Sequence, residues 1–232
     1  MKKKFDNIVL NIPHSSIQGL FSKVSGWAYN ANLLNKAIKD TDWHTDFIFH
    51  SNIEKVHPVI FEWSRYVVDV ERLENDPLEK EGYGMIYDLN NGFKRNLTEK
   101  DKEMLFEMRN KHLQNVSDLI TEKTILIDCH SFNNEIAPDV DICIGFNEDA
   151  SKPDKEIIDG ICNIFKENGY NVDINNPYGN PLTPKAKYEY KSIMIEINKK
   201  LYLRNGVELN VDTIYAPKLQ NTIKKVYDFL LT

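Results

Sequence analysis

The sequence has few cysteines and no cysteine pair at metal-binding spacing. Its three cysteines, Cys129, Cys143 and Cys162, lie in segments with an apolar, core-like pattern, and no CxxC motif is present. Extracellular domains commonly carry disulfide frameworks, and zinc sites built from cysteine need closely spaced thiols. We therefore expect reduced thiols, a cytoplasmic location and no cysteine-ligated zinc.

Long apolar runs and an excess of positive charge are also absent. No stretch reaches the roughly 20 apolar residues that a membrane-spanning helix needs. The short apolar run behind the lysine-rich N-terminus is interrupted by Asn11 and Pro13, which does not fit a signal peptide. The formal net charge of −6 gives no electrostatic reason to bind nucleic acid. We expect neither a membrane nor a nucleic-acid partner, and the oligomeric state is left open.

The chain does show an alternation of strand and helix patterns. Apolar runs typical of buried strands alternate with helical spacing, and Thr98 with Asp101 forms a capping-box-like helix start. Strands are predicted at 8–12, 58–61, 66–70, 125–127, 142–146, 170–174 and 192–197, helices at 31–38, 98–122, 151–168 and 216–231, and long loops at 82–92 and 175–184, the first with a hairpin as an alternative. We predict one α/β domain over residues 1–232, with a mixed, mostly parallel sheet and helices on both faces.

Histidines and acids follow several of the predicted strands. His14 comes directly after the first strand, His130 ends the 125–127 segment, and Asp42, His44 and Asp46 form a polar cluster before an apolar run. Ligand sites collect at the carboxyl ends of strands in open α/β sheets. Two imidazoles and one carboxylate are the ligand set of a hydrolytic zinc site. The sequence therefore predicts a metal site assembled from these parts, with hydrogen-bonded structural histidines as the alternative.

Eight segments occur in a characteristic order over nearly the whole chain. They are IPHSS, DTDWHTDFIF, SRYVVDVER, the helix end carrying His112, IDCHSF, PDVDICIGF, NNPYGNPLT and IMIEINKKLYL. Together they resemble the N-formylglutamate amidohydrolase family, which is similar in fold to the zinc carboxypeptidases. The resemblance implies one Zn²⁺ ion and a hydrolase that removes a formyl or small acyl group from the nitrogen of an acidic amino acid. N-formyl-L-glutamate is the expected substrate, a small anionic N-acyl amino acid.

The resemblance also assigns the metal ligands. It implies His14, His130 and Asp46 as the three ligands, with Asp46 preferred to Asp42. Asp42 and His44 are then expected to hold a ligand imidazole or meet the substrate. For Asp42, a helix N-cap is the alternative of equal weight. Other divalent transition metals suit the same ligand types.

Catalytic and substrate-binding roles follow from the same resemblance. Glu196 corresponds to the general base, although a buried ion pair with a lysine or arginine would also explain a carboxylate on a core strand. Arg65 and Arg72 are expected to bind a substrate carboxylate or the oxyanion, with the division between them left open. His112 and Asn176 are expected to contact substrate.

Supporting roles are expected for further polar residues. Asp128 shares a strand face with His130 and is expected to hydrogen-bond a ligand, and Asp69 and Asn75 are supporting candidates. Ser131 is a rival nucleophile, but no GxSxG motif surrounds it, which argues against a serine hydrolase.

Two departures from the family pattern bear on the substrate. Glu71 stands where much of the family has asparagine before the second arginine, and the loop after Asn176 reads Tyr178-Gly179-Asn180-Pro181 instead of a glycine-rich form. Glu71 either pairs with Arg72 and weakens its hold on an anion, or indicates a different substrate side chain. A deacylase or metallocarboxypeptidase acting on another N-acyl amino acid, and a non-catalytic anion-binding relative, are the alternative functions.

Overall fold

The computed structural model describes residues 4–72, 76–89, 93–179, 181–210 and 215–231. Its centre is a six-stranded sheet in the order β2-β1-β3-β6-β4-β5. The strands are β1 Asn7–Ile12, β2 Val56–Ile60, β3 Thr124–Phe132, β4 Ile142–Gly145, β5 Val172–Ile174 and β6 Lys191–Asn198, and a separate hairpin pairs β7 Leu203–Arg204 with β8 Glu208–Leu209. The helices are α1 Ala31–Asp40, α2 Thr45–Ile48, α3 Glu99–Asp118, α4 Lys155–Glu167 and α5 Tyr215–Leu231, with 3₁₀ turns at Pro77–Glu81 and Lys199–Leu201.

The strand directions confirm the predicted mixed, mostly parallel sheet. β2, β1, β3 and β6 pair in parallel, whereas β4 runs antiparallel to β6 and parallel to β5. The register sets His130 of β3 beside Glu196 of β6, and Asn11 of β1 beside Asp128 of β3. Polar residues of three adjacent central strands therefore lie together towards the carboxyl ends of these strands.

Alternation along the strands buries both faces of the sheet. On one face Ile127 of β3 and Ile195 of β6 pack with Ile161 of α4 and Leu219 of α5 in the largest apolar cluster. On the other face Val9 and Leu126 pack with Val116 of α3. Helices therefore cover both faces, as an α/β sheet with buried parallel strands requires.

The long helix begins and is capped as its sequence predicts. Thr98 accepts a hydrogen bond from the Asp101 backbone, and the Asp101 carboxylate accepts from the Thr98 backbone, which completes the capping box. The helix ends at Asp118, a little before the predicted end at 122.

The strand predicted at 66–70 is wrong. Tyr66, Val67, Val68 and Val70 are buried, but the chain turns at this point. The Val67 amide donates to the Ser64 carbonyl, and the Asp69 amide donates to the Met85 carbonyl in the loop beyond. The apolar run therefore reflects burial under this loop and not pairing in the sheet.

The loop at 82–92 is confirmed over its described part, 82–89, which consists of turns and bends without a strand. Asn75, expected to support the site, and Asn180 of the proline-rich loop lie outside the described residues, as do residues 90–92. Within the described chain, no helix is both long and apolar enough to cross a bilayer. The three cysteines are buried free thiols.

Candidate active site

A cleft of about 440 Å³ opens at the carboxyl ends of β1, β3 and β6. Most of its wall is charged or polar. The described residues that line it are His14, Asp40, Asp42, Arg65, Glu71, Arg72, Leu78, Tyr83, Tyr87, Asp128, His130, Ser131, Phe132, Asn133, Ile136, Tyr178, Gly179, Met194, Glu196 and Lys199.

Asp69 fixes the ring of His14. The chain leaves β1 at Pro13, and the buried His14 ring places Nε2 3.0 Å from Asp69 Oδ1. Asp69 is itself fully buried and accepts hydrogen bonds from Arg65 Nη2 at 3.0 Å and Tyr87 Oη at 2.6 Å. Burial would raise the pKa of Asp69, but the Arg65 charge and the hydrogen bond from His14 outweigh it and hold that pKa well below its usual range.

The ionised Asp69 determines which nitrogen of His14 is open. A carboxylate only accepts hydrogen bonds, so Nε2 donates to it and a neutral ring keeps its lone pair on Nδ1. Burial, followed by the Arg65 charge, lowers the pKa of His14 to about 4, which favours the neutral ring. His14 Nδ1 is buried and has no hydrogen-bond partner among the described residues.

His130 is held from the opposite nitrogen. Its Nδ1 lies 3.1 Å from Asp42 Oδ2, and its Nε2 lies 2.9 Å from Glu71 Oε1 and 3.3 Å from Asp128 Oδ1. The His14 and His130 ring centroids are 5.2 Å apart. Burial would lower the pKa of His130, but the charges of Glu71 and Asp128 raise it well above its usual value.

Asp42 is a buried anchor between three elements. Its backbone amide donates to the His14 carbonyl at 2.9 Å, and its carboxylate accepts from Ser131 Oγ at 3.1 Å as well as from His130. Burial would raise the pKa of Asp42, but the His130 hydrogen bond and the Lys199 charge lower it to about 2. Asp42 thus holds the His130 imidazole by a hydrogen bond, and the Ser131 hydroxyl donates to Asp42.

Glu71 lies between the two imidazoles. One carboxylate oxygen is 3.5 Å from His14 Nδ1, and the other is 2.9 Å from His130 Nε2. His14, Glu71 and His130 each offer one ligand atom, and these atoms lie within 4.8 Å of one another. Burial, followed by the Asp128 charge, raises the pKa of Glu71 to about 8. Two imidazole nitrogens and a carboxylate fit a divalent metal ion, and one of these nitrogens, His14 Nδ1, makes no hydrogen bond to the described residues.

The structure does not bring Asp46 to the histidines. Asp46 is exposed in the single turn of α2, whose buried side chains are Thr45 and Ile48. Its carboxylate therefore points away from the cleft, and the preference for Asp46 over Asp42 needs correction. Of these two acids, Asp42 is the one that contacts both histidine segments.

Glu196, Arg65 and Arg72 line the cleft. Glu196 Oε2 is buried and has no hydrogen-bond partner among the described residues, and burial raises the pKa of Glu196 to about 8. Arg65 donates hydrogen bonds to Asp69 and Tyr87. Arg72 is less engaged, with Asp69 at 3.7 Å and Asp76 at 3.9 Å, and its buried Nε also lacks a hydrogen-bond partner within the described chain. Glu71 is directed to the histidines and not to Arg72.

Three predicted substrate contacts lie outside the cleft wall. His44 Nε2 is 3.0 Å from the Val207 carbonyl, and Asn176 is exposed and donates to Asp173. His112 is buried on α3 with Nε2 2.7 Å from Asn11 Oδ1. Each of these side chains supports a neighbouring segment, so the structure does not place them against a substrate.

Sequence reasoning missed Glu71 as a metal-site residue and gave no role to Lys199 or Tyr87. Glu71 follows a turn, where no periodic signal marks a site residue. Lys199 follows the last central strand within IMIEINKKLYL, so the rule that strand ends carry site residues was the available signal.

Comparison with known proteins gives one family and a shared fold. A family model described as N-formylglutamate amidohydrolase matches residues 6–203. The crystal structure of an N-formylglutamate amidohydrolase from Ralstonia eutropha JMP134 has a TM-score of 0.73 at 17% identity and covers 99% of this chain and 95% of its own. A gene product of Agrobacterium tumefaciens gives a TM-score of 0.66 at 20% identity, covering 98% of this chain and 92% of its own. Murine aminoacylase 3 gives 0.43 at 9% identity, covering 99% and 67%. No curated protein matches the chain.

Proposed function

The chain belongs to the N-formylglutamate amidohydrolase family, and on this premise we propose that it is a metal-dependent amidohydrolase that hydrolyses N-formyl-L-glutamate to L-glutamate and formate. Membership agrees with the resemblance carried by the eight sequence segments. We further propose that residues 1–232 form one catalytic domain that acts in the cytoplasm.

One observation carries the proposal. His14 Nδ1, Glu196 Oε2 and Arg72 Nε are buried polar atoms that lack a hydrogen-bond partner among the described residues, and all three residues line the same cleft. Leaving a buried polar atom unpaired costs about 1–3 kcal/mol. In hydrolysis of an anionic amide, His14 Nδ1 would bind the metal, Glu196 would act as the base and Arg72 would bind the anion. The three unpaired atoms in one cleft therefore support this reaction.

His14, His130 and Glu71 are the residues that would hold the metal. Asp69 and Asp42 would orient the two rings by accepting a hydrogen bond from the ring nitrogen that faces away from the ion. When bound, a zinc ion supplies a Lewis acid that polarises the formyl carbonyl and makes water a better nucleophile near neutral pH.

Glu196 is the proposed general base. It takes a proton from the water that attacks the formyl carbon, and it returns that proton to the amino-acid nitrogen as the carbon–nitrogen bond breaks. Its position beside His130 in the β3–β6 register puts the carboxylate next to the metal-binding group.

Arg72 is the proposed anion-binding residue. Its guanidinium would neutralise a substrate carboxylate or the charge that develops on the carbonyl oxygen. Arg65, through Asp69, would hold the His14 side of the cleft in place.

The test is formate release from N-formyl-L-glutamate by zinc-loaded protein. We expect activity in the wild type and a loss of roughly 100- to 10,000-fold in kcat for Glu196→Gln, because the base is removed while the side-chain volume is kept. Glu148→Gln, an exposed glutamate paired with Lys152, is the matched control and should keep full activity. Wild-type rates in Glu196→Gln would refute the proposed base.

A substrate panel separates the proposed reaction from its nearest alternative. Tyr178 and Gly179, from the loop that departs from the family pattern, line the cleft and favour a test of other acyl amino acids. We expect N-formyl-L-glutamate to be hydrolysed faster than N-acetyl-L-glutamate and N-formyl-L-methionine. A higher kcat/KM for either competitor would assign the other substrate class.

A further inference from the structure

Lys199 is a buried cation that the proposed mechanism does not use. It begins the 3₁₀ turn after β6, three residues beyond Glu196, and it lines the cleft with 6% of its surface exposed. Lysine is almost never buried unless it is paired. The buried ammonium of Lys199 therefore needs hydrogen-bond acceptors or an anion as partners.

Within the described chain, Lys199 makes two hydrogen bonds to neutral acceptors and one longer ion pair. Its ammonium donates to the Lys39 carbonyl at 2.8 Å and to Asn133 Oδ1 at 3.2 Å. The nearest acidic oxygen, Asp42 Oδ1, is 3.8 Å away, which is beyond hydrogen-bond distance. An ammonium has three donors, so the two hydrogen bonds to neutral acceptors leave one donor without a hydrogen bond among the described residues, although Asp42 partly balances the charge.

Lys199 and Arg72 line the same cleft but come from different parts of the fold. Arg72 lies by Asp69, which holds His14 at the end of β1, whereas Lys199 follows β6. β3, which carries His130, lies between β1 and β6 in the sheet. A ligand in the cleft that holds the histidines can therefore contact a cation from each of these two parts of the fold.

This charge arrangement fits a substrate with two carboxylates. We infer that Lys199 binds the side-chain carboxylate of an acidic N-formyl amino acid and so determines specificity for acidic over amide or apolar side chains. The inference rests on the proposed function. A carboxylate bound to Lys199 would complete the third donor and balance a buried charge, which an uncharged side chain cannot do.

The test compares N-formyl-L-glutamate with N-formyl-L-glutamine, which differ only in the charge and hydrogen bonding of the side chain. We expect the wild type to prefer the glutamate compound in kcat/KM. Lys199→Met should reduce that preference by roughly 10- to 100-fold, the loss expected for one hydrogen bond to a charged group, mainly through a higher KM for the acidic substrate. Lys199→Arg should keep the preference because the positive charge remains.

Lys200→Met is the matched control, because the Lys200 ammonium bonds the Pro138 carbonyl at 2.7 Å and Asp141 at 3.0 Å away from the cleft lining. It should leave the substrate preference unchanged. If Lys199→Met does not fold, Lys199→Gln, which can still donate hydrogen bonds, replaces it with the same expected loss of preference.

Three outcomes overturn the inference. An equal fall in kcat/KM for both substrates in the Lys199 variants would assign Lys199 a purely structural role beside Asp42. A wild type that hydrolyses both substrates without preferring the acid would reject Lys199 as a specificity residue while leaving the proposed function intact. A wild type that hydrolyses neither substrate would reject the proposed function and this inference with it.

Discussion

The two site histidines are oriented by different carboxylates through different ring nitrogens. Asp69 holds His14 at Nε2, and Asp42 holds His130 at Nδ1. Each carboxylate can only accept, so each fixes the tautomer of its ring and the nitrogen left for a metal. Because opposite nitrogens are held, His14 Nδ1 from a loop and His130 Nε2 from a strand are directed to the same point.

At the residue scale, Asp69→Asn should weaken zinc binding. The amide can donate to His14 Nε2 and thereby favour the other tautomer, which places a proton on the ligand atom Nδ1. We expect the zinc Kd to rise roughly 10- to 100-fold, as measured by competition with a chromogenic chelator. Asp6→Asn, at an exposed acid paired only distantly with Lys123, is the control and should keep the wild-type Kd. An unchanged Kd in Asp69→Asn would show that the hydrogen bond does not orient the ring.

A second pair of variants separates Asp46 from Asp42. Asp46 is exposed on α2, so Asp46→Asn should leave zinc affinity and kcat/KM within about twofold of wild type, as is usual for surface substitutions. Asp42→Asn should lower both, because His130 Nδ1 loses an ionised acceptor. Zinc content and formate release measure the two effects. A loss of zinc confined to Asp46→Asn would restore Asp46 as the ligand.

Residue roles could be predicted from the sequence where the side chain follows a strand. His14, His130 and Glu196 could be selected this way, because parallel strands bring their ends together. Glu71 could not, because it follows a turn whose path depends on the loop at 82–89 packing over it. The choice between Asp42 and Asp46 is difficult for a related reason. The two acids are four residues apart in a short polar segment, and only the folded chain shows that Asp42 is buried and Asp46 exposed.

At the element scale, α3 packs on the sheet through apolar side chains and through a buried polar contact. His112 on α3 donates to Asn11 on β1, and its ring packs edge-on against Phe61. Asn11 in turn donates to Asp128 at 2.8 Å and to Glu71 at 3.4 Å. The helix therefore supports the cleft indirectly, through the carboxylates that Asn11 holds.

The buried His112 predicts a pH dependence of stability. Burial, followed by the His14 charge, lowers the pKa of His112 from 6.5 to about 4. Between these values the unfolded state binds more protons than the folded state, so stability falls as the pH drops below 6.5 and levels off below 4. The full effect is on the order of 3 kcal/mol.

Urea unfolding of wild type and His112→Gln at pH 7 and pH 5 measures this contribution. The groups facing His112 are the neutral Asn11 and Phe61, with His14 and Asp128 as the nearby charges. Glutamine can donate to Asn11 but does not titrate, so the variant should lose less stability between the two pH values than wild type. Subtracting the pH-dependent change in unfolding free energy of the variant from that of wild type removes the contribution of the other titrating groups. Equal losses would show that His112 does not titrate as its burial implies.

Elements with strong local signals were predicted correctly, and the exception has a physical cause. α3 carries its own capping box, and β3 is a long apolar run, so both could be recognised from sequence alone. The 66–70 segment is equally apolar, yet Arg95 donates to the Val67 carbonyl and Trp27 donates to the Tyr66 carbonyl. Side chains distant in sequence thus satisfy backbone groups that a strand would have offered to a neighbour, and no local pattern reveals them.

At the scale of the whole molecule, zinc should stabilise the fold. His14 in the loop after β1, His130 of β3 and Glu71 come together only in the folded chain, so an ion that binds all three stabilises the folded state relative to the unfolded state. Free zinc at 100 times its Kd should add about 2.7 kcal/mol to the free energy of unfolding. Urea unfolding with zinc and with a chelator measures the difference. His14→Ala should show no zinc-dependent gain, and an equal gain in that variant would place the ion elsewhere.

The sheet order sets when this protein can become functional during translation. β6 is synthesised after β4 and β5 but inserts between β3 and β4. A nascent chain that stops short of residue 191 would therefore leave the inner edges of β3 and β4 unpaired, and unpaired edges invite association with other chains. It would also lack Glu196 and Lys199. Truncated products should consequently be insoluble or rapidly degraded, and chaperones should engage the chain until its last central strand emerges from the ribosome.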